Sequence, residues 1–117
     1  MIDLKTLTIE KAHKAMKSGQ FSAVELSQAY LDNIFKNNPE IHAYLEVFAD
    51  VLAQAKEADK RFENGTATTL TGIPFAIKDN ILIKGRIASA ASKILENYRA
   101  TYDATVIAKL KEEGVVF

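Results

Sequence analysis

Apolar residues recur at three- and four-residue spacing through the first half of the chain, a pattern that predicts amphipathic helices. The first predicted helix begins after Thr8, a good N-cap residue, and ends before Gly19. Glu10 near its start and Lys17 near its end suit the two poles of the helix dipole. Its predicted inward face is formed by Ile9, Ala12, Ala15 and Met16.

The second predicted helix has the clearest start signal in the chain. Ser22 and Glu25 form a capping box, in which each side chain accepts a hydrogen bond from the other residue's backbone N–H. Phe21 and Leu26 flank the box as a hydrophobic staple, and the Asn-Asn-Pro run that ends at Pro39 is predicted to stop the helix. Its predicted apolar face is formed by Leu26, Ala29, Tyr30 and Ile34.

A third helix is predicted over residues 48–63 and is stopped by Asn64 and Gly65. Residues 41–45, which precede it, are compatible with either a short strand or an extended linker. The predicted buried stripe of this helix is formed by Val51, Leu52, Ala55, Ala58 and Phe62. The side chains predicted to cover its solvated side are those of Lys56, Glu57, Asp59, Lys60, Arg61 and Glu63.

The pattern changes at residues 71–80, which read TGIPFAIKDN. A turn through Gly72 and Pro74 leads into a short apolar run at residues 75–77 that predicts a buried strand ending on Lys78. Buried amines lose their proton more readily than exposed ones, so a lysine at a buried strand end is a candidate base. The alternative is an ordinary strand-end lysine whose stem is buried and whose ammonium reaches water.

The last third of the chain predicts a helix between two strands. Small residues at 88–92 suit either close backbone approach beside a substrate pocket or a short helical turn leading into residues 93–95. Asp103 is the predicted N-cap of a fourth helix that Gly114 ends, and residues 115–117 are predicted to begin a new strand. The residues of this helix predicted to point inward are Val106, Ile107 and Leu110.

Strand, crossover helix and second strand together predict an α/β fold with a mostly parallel sheet, preceded by helices. Residues 75–77 and 115–117 should therefore run parallel, either adjacent or one place apart. A sheet that stops at an apolar strand leaves its edge uncovered, so we expect the chain to be the first part of a larger protein.

Composition and charge exclude several classes of function. Among 117 residues, 15 basic side chains balance 15 acidic ones, which is not the charge of a nucleic-acid binder. Absence of cysteine excludes disulfides and thiolate metal sites, and two histidines in different elements do not suggest a zinc site. No apolar run is long enough to span a membrane and no secretory signal opens the chain, so we expect a cytoplasmic protein.

Residues 71–80 resemble the lysine motif of the amidase signature family. Residues 91–97 (ASKILEN) and 102–106 (YDATV) are most similar to one branch, the A subunits of the aspartyl/glutamyl-tRNA amidotransferases. Residues 22–30 resemble the second helix of that family, so the resemblance covers nearly the whole chain. Ala88 and Ser89 depart from the pattern, because two threonines usually stand there.

The resemblance implies a glutamine-hydrolysing enzyme that uses two serines and a lysine. It identifies Lys78 as the catalytic lysine and places both serines in a Gly/Ser-rich segment beyond residue 117. It implies one truncated amidase domain: residues 1–65 form its helical segment and residues 66–117 begin its mixed α/β sheet. It also implies that ammonia passes to a partner, that subunits B and C complete the complex, and that ATP, Mg²⁺ and mischarged tRNA are handled mainly by the partner.

Two alternatives remain open at this point. Another hydrolase of the same family, acting alone on a small amide, would share Lys78 but would not need residues 91–97 in this form. A non-catalytic interaction module also fits, since one member of a three-residue catalytic set is not sufficient for catalysis.

Overall fold

A computed structural model describes residues 2–117, which contain four α-helices and one 3-10 helix. The helices are α1 (Ile9–Lys17), α2 (Ala23–Ile41), α3 (Val51–Glu63), the 3-10 helix Lys93–Leu95 and α4 (Thr105–Glu113). The chain divides into two compact units. The first unit comprises the residues up to Phe75 together with Glu113–Phe117, and the second unit comprises Ala76–Glu112. No helix within residues 2–117 has the length and apolar character needed to cross a membrane.

The predicted starts of α1 and α2 are confirmed by their caps. The Thr8 hydroxyl accepts a hydrogen bond from the Lys11 N–H at 3.2 Å. The Ser22 hydroxyl accepts from the Glu25 N–H at 3.0 Å, and the Glu25 carboxylate accepts from the Ser22 N–H at 2.8 Å. Backbone donors at both helix starts, which have no partner within the helix, are thus satisfied by local side chains.

The predicted end of α2 is wrong, because the helix runs through Pro39 to Ile41. Proline has no N–H and so removes one backbone hydrogen bond from the last turns of α2, but the helix continues for two more residues. His42 ends the helix instead, with a left-handed φ of 55° and its N–H donating to the Asn38 carbonyl at 2.8 Å. Residues 43–45, which the sequence leaves as either strand or linker, form an exposed irregular segment.

The core of the first unit is built from the predicted helix faces with one exception. Leu26 is 1% exposed and Ala12 is 2% exposed, whereas Ile9 is 44% exposed, so the prediction that Ile9 points inward is wrong. Ile9 is the first residue of α1. The buried cluster consists of Ala12, Met16, Ala23, Leu26, Val51, Ala55, Ala58, Ile73 and Val116.

Asp59 does not lie on a purely solvated face, contrary to the sequence pattern. Its carboxylate accepts hydrogen bonds from the N–H groups of Ala23 at 2.6 Å and Val24 at 3.2 Å. These groups are the first two donors of α2, and a negative charge is favourable at that end of a helix. Asp59 on α3 therefore supplies a second cap to α2, beside the local capping box.

Residues 73–75 and 115–117 pair in parallel, but neither segment is a strand. The pairing is a single bridge between Pro74 and Val116, in which Val116 N–H donates to Ile73 at 3.0 Å and Phe75 N–H to Val116 at 2.7 Å. The predicted orientation holds, whereas the predicted strands at 75–77 and 115–117 are not formed within residues 2–117. The side-chain amide of Gln54 accepts from the Phe117 N–H at 2.9 Å and donates to the Phe117 carbonyl at 3.2 Å, directly after the bridge.

Gly72 is required where this parallel pair meets the helices. Its φ is +77°, a conformation unfavourable for residues with a Cβ. A Cβ at this position would lie 2.8 Å from the Ala23 Cβ and 3.2 Å from the Met16 sulfur. The glycine therefore allows the backbone to approach α1 and α2 closely.

The second unit is built mainly from turns. A single antiparallel bridge joins Ile87 to Arg99. α4 begins at Thr105, so Asp103 lies two residues before the helix and is not its N-cap as predicted. Its carboxylate accepts instead from the Lys84 N–H and the Lys111 ammonium, each at 2.7 Å.

Only part of the predicted inward face of α4 is buried. Ile107 is fully buried and Leu110 is half-buried, but Val106 is 49% exposed, so the prediction for Val106 is wrong. The helix ends at Glu113, as the following Gly114 predicts. The buried hydrophobic residues of the second unit are Ile83, Ala88, Ala100 and Ile107.

Candidate active-site segment

Lys78 lies in an irregular, non-helical segment near the start of the second unit. Its side chain is exposed, so the prediction of a buried strand-end lysine is wrong for this chain. Its direct neighbours Ile77 and Asp79 are half-buried, and within residues 2–117 no group pairs with the Lys78 ammonium. The surroundings that would bury this amine are therefore not supplied by the described part of the chain. The catalytic role of Lys78 stays a prediction.

The residue after Lys78 is held far more tightly. The Asp79 carboxylate accepts hydrogen bonds from the Ser89 N–H at 3.2 Å, from the Ser89 hydroxyl and from the Ala91 N–H at 3.4 Å. Its carbonyl oxygen accepts from the Ala90 N–H at 3.0 Å. The Ser89 hydroxyl is the main cause that lowers the pKa of Asp79 below its ordinary value, with smaller contributions from the two backbone donors.

The small-residue run at 88–92 forms the loop that surrounds this carboxylate. Ala90 and Ala91 have φ values of 48° and 58°, and the 3-10 helix Lys93–Leu95 follows. The prediction that this run is itself a short helical turn is wrong: residues 88–92 are not helical, Ala90 and Ala91 form a left-handed turn, and the helical residues start at Lys93. The interpretation as a wall of a substrate pocket stays a prediction.

None of the serine hydroxyls described by the structure is hydrogen-bonded to Lys78. Ser22 caps α2, Ser18 donates to the Ala15 carbonyl, and Ser89 donates to Asp79. Ser27 is 1% exposed, and its hydroxyl has no hydrogen-bond partner in the described structure. Among residues 2–117, no serine hydroxyl is hydrogen-bonded to the Lys78 amine, so this part of the chain contains no assembled serine–lysine pair.

Other features of the described residues do not form a catalytic constellation. The first unit carries a groove of about 1060 Å³, lined by side chains of both charge signs that include Asp3, Lys11, Lys14 and Glu25. Residues 2–117 contain no group of three or more histidine, aspartate or glutamate side chains placed to bind a metal ion.

Sequence reasoning does not identify Asp79 or Asp59 as residues with a structural task. The pattern places Asp79 only in a turn, and Ser89 only in a run of small residues. The contact between them joins residues ten positions apart through a loop with left-handed dihedrals, and no periodic pattern signals such a contact. The local sequence offers one indication of a structural role for Asp79, which is that the polar pair Asp79 and Asn80 directly follows Lys78.

Comparison with protein-family models places residues 25–117 in the family described as Amidase. The chain is 44% identical over 98% of its length to the A subunit of the Glutamyl-tRNA(Gln) amidotransferase from Thermoanaerobacter pseudethanolicus. It is also 44% identical over 93% of its length to the protein of the same name from Neisseria meningitidis serogroup A. The chain spans 24% and 23% of these two relatives, so it corresponds to about a quarter of their length.

Solved structures give the same family. The peptide amidase from Stenotrophomonas maltophilia matches 95% of this chain with a TM-score of 0.88 and 30% identity, and the chain covers 23% of that enzyme. An amidase family protein from Bacillus anthracis matches 95% of this chain with a TM-score of 0.87 and 27% identity, and again 23% of that protein is covered.

Proposed function

Because this chain belongs to the amidase signature family, we propose that it is the N-terminal part of an amidase domain and contributes Lys78 as the catalytic base. In this proposal residues 1–65 are the helical segment of the domain and residues 66–117 begin its α/β sheet. The parallel bridge between Pro74 and Val116 supports this view, because its orientation is the one expected of two strands joined by a crossover helix.

The observation that carries the functional proposal is the 44% identity over 98% of the chain to the Thermoanaerobacter pseudethanolicus amidotransferase protein. We infer that the complete protein hydrolyses glutamine to glutamate and ammonia. The ammonia would then convert Glu-tRNA(Gln) or Asp-tRNA(Asn) to the amidated form, in a complex with subunits B and C. We assign ATP, Mg²⁺ and most contacts with tRNA to the partner protein of that complex.

The proposed chemistry of Lys78 follows from the properties of an amine. A neutral amine accepts a proton, and through a bridging serine hydroxyl it would activate a second serine for attack on the amide carbon of glutamine. Both serines are proposed to lie outside residues 1–117. Surroundings outside this chain would also have to cover Lys78, which is exposed here.

A consequence is that the 117-residue chain alone releases no measurable ammonia from glutamine. The test is an amidotransferase chimera, in which this chain replaces the matching quarter of the Thermoanaerobacter pseudethanolicus relative and is expressed with subunits B and C of that organism. The unaltered relative, expressed with the same partners, serves as the positive control, and the isolated chain as the negative control.

The proposal predicts ammonia release by the amidotransferase chimera and none by the isolated chain. Release by the isolated chain would show that the nucleophile lies within residues 1–117 and would overturn the proposed division of the catalytic residues. A chimera that assembles with its partners but leaves glutamine intact would contradict the glutaminase assignment.

A second candidate is an amidase that acts without partner subunits. The observation that favours it is the likeness to the Stenotrophomonas maltophilia peptide amidase, with a TM-score of 0.88. Joining this chain to the remainder of that enzyme and supplying peptide amides would test it. Hydrolysis of peptide amides by that second chimera, together with an inactive amidotransferase chimera, would favour the second candidate.

A further inference from the structure

The loop at residues 89–91 is folded around a single residue. Three donors converge on the Asp79 carboxylate: the Ser89 hydroxyl, the Ser89 N–H at 3.2 Å and the Ala91 N–H at 3.4 Å. A fourth donor, the Ala90 N–H, binds the Asp79 carbonyl oxygen at 3.0 Å. Every residue of the loop is therefore tied to Asp79.

This loop adopts dihedral angles that need outside support. Ala90 and Ala91 have φ values of 48° and 58°, which are unfavourable for residues that carry a Cβ. Such conformations persist only where surrounding contacts hold them. Successive backbone N–H groups in turn conformations form a concavity that binds anions, and here the anion is the carboxylate of Asp79.

The same contacts fix the backbone on which Lys78 is carried. The Lys78 carbonyl oxygen accepts a hydrogen bond from the Ile81 N–H at 3.0 Å, which closes a turn immediately after it. The next residue, Asp79, is held through both its carboxylate and its carbonyl oxygen. The peptide between Lys78 and Asp79 is therefore anchored on both sides, although the Lys78 side chain itself is exposed.

We propose that Asp79 is a positioning residue for Lys78: by holding residues 89–91, it fixes the direction in which the Lys78 side chain leaves the backbone. The inference rests on the proposed function, in which the Lys78 amine must reach a serine hydroxyl. A base has to come within hydrogen-bond distance of the proton that it removes, and small displacements of a catalytic group lower rates steeply. The Ser89 hydroxyl contributes to this positioning because it donates a hydrogen bond directly to the Asp79 carboxylate.

The proposal is tested in the amidotransferase chimera with substitutions that remove one contact at a time. Asp79→Asn removes the charge and replaces an acceptor oxygen by a donor, so we expect kcat for glutamine hydrolysis to fall on the order of 10- to 100-fold with KM unchanged. Ser89→Ala, which removes only the hydroxyl contact, should lower kcat by less. Ser89→Thr keeps the hydroxyl and should restore the unaltered rate.

A matched control comes from the other carboxylate that binds backbone in the second unit. Asp103 accepts from the Lys84 N–H and the Lys111 ammonium, so Asp103→Asn also removes an anchoring charge from this unit. We expect it to leave kcat within about twofold of the unaltered chimera, since the partners of Asp103 are Lys84 and Lys111 and not the loop at residues 89–91. Equal losses of kcat in Asp79→Asn and Asp103→Asn would show a general effect on the second unit and would overturn the positioning role.

A second measurement does not depend on activity. In the 117-residue chain, backbone amide exchange followed by NMR should become faster at Ser89 and Ala91 in Asp79→Asn, and the Lys78 amide resonance should shift in Ser89→Ala, a substitution eleven positions away. Amides of α1 should remain unchanged. An unchanged Lys78 resonance beside faster exchange in the loop would overturn the positioning role while leaving the proposed function intact. If the unaltered chimera is inactive, the proposed function fails, and the NMR result decides alone whether Asp79 orders the Lys78 segment.

Discussion

Each of the two units of this chain is stabilised internally by a different kind of contact. The first unit has a buried cluster of apolar side chains from α1, α2 and α3, reinforced by caps on the helix starts. The second unit buries only four hydrophobic residues and relies on carboxylates that bind backbone N–H groups, those of Asp79 and Asp103. Apolar burial stabilises the first unit through many small contacts, whereas the second depends on a few directional ones.

The largest expected effect on the free energy of unfolding comes from removing a core side chain in the first unit. Leu26 is 1% exposed, so Leu26→Ala leaves a cavity and should lower the free energy of unfolding by about 2–5 kcal/mol. Urea denaturation followed by circular dichroism measures it. The matched control is Leu45→Ala, at a leucine that is 76% exposed, and equal losses in both variants would contradict the account of the core.

A smaller effect is expected where α3 caps α2. Asp59→Ala leaves the N–H groups of Ala23 and Val24 without their carboxylate, and bonds to a charged acceptor contribute about 1.5–3 kcal/mol. Glu57→Ala on the same helix removes only an exposed pair with Lys60 and should change stability by less than about 0.5 kcal/mol. Similar urea midpoints for the two variants would show that the cap between helices contributes nothing.

The smallest effect is expected in the second unit and depends on pH. The Lys111 ammonium is the main cause that lowers the pKa of Asp103 below its ordinary value, and the Lys84 N–H adds to it. A lowered pKa in the folded state means that ionised Asp103 stabilises the second unit at neutral pH. That stabilisation is lost as the pH falls through the lowered pKa, below about pH 4.

Amide exchange measured by NMR tests this pH dependence. Protection of the Lys84 amide should fall below about pH 4 relative to protection of the α3 amides. The substitution Asp103→Asn should remove that dependence. Protection of Lys84 that follows α3 at every pH would show that the carboxylate does not hold this turn.

The helices were predictable because their signals are local. The capping box at Ser22 and Glu25 and the stop at Asn64 and Gly65 lie within a few residues of the helix ends that they define. The sequence pattern gave wrong predictions where a contact between residues far apart in the chain determines the structure. α2 continues two residues past Pro39, so the proline alone does not decide where the helix ends. The sequence pattern places Asp59 on the solvated face of α3, whereas in the structure its carboxylate binds the start of α2.

The candidate site was less predictable than the helices for a related reason. The apolar run at residues 75–77 has the composition of a buried strand, but a strand forms only where a neighbouring strand continues the pairing. Within residues 2–117 the pairing stops after the bridge between Pro74 and Val116, and Lys78 remains exposed. The motif indicated the position of Lys78 in the sequence. The environment of its side chain was not predictable, because residues 2–117 do not bury it.

The most direct test of the central proposal is the rate of ammonia release from glutamine by the amidotransferase chimera carrying Lys78→Ala. The control is Lys84→Ala, another exposed lysine of the second unit, which should retain the activity of the unaltered chimera. If Lys78 is the catalytic base, kcat/KM should fall on the order of 1000-fold or more, as expected when one member of a catalytic set is removed. A Lys78→Ala chimera that is folded and retains activity within about tenfold of the Lys84→Ala control would contradict the assignment.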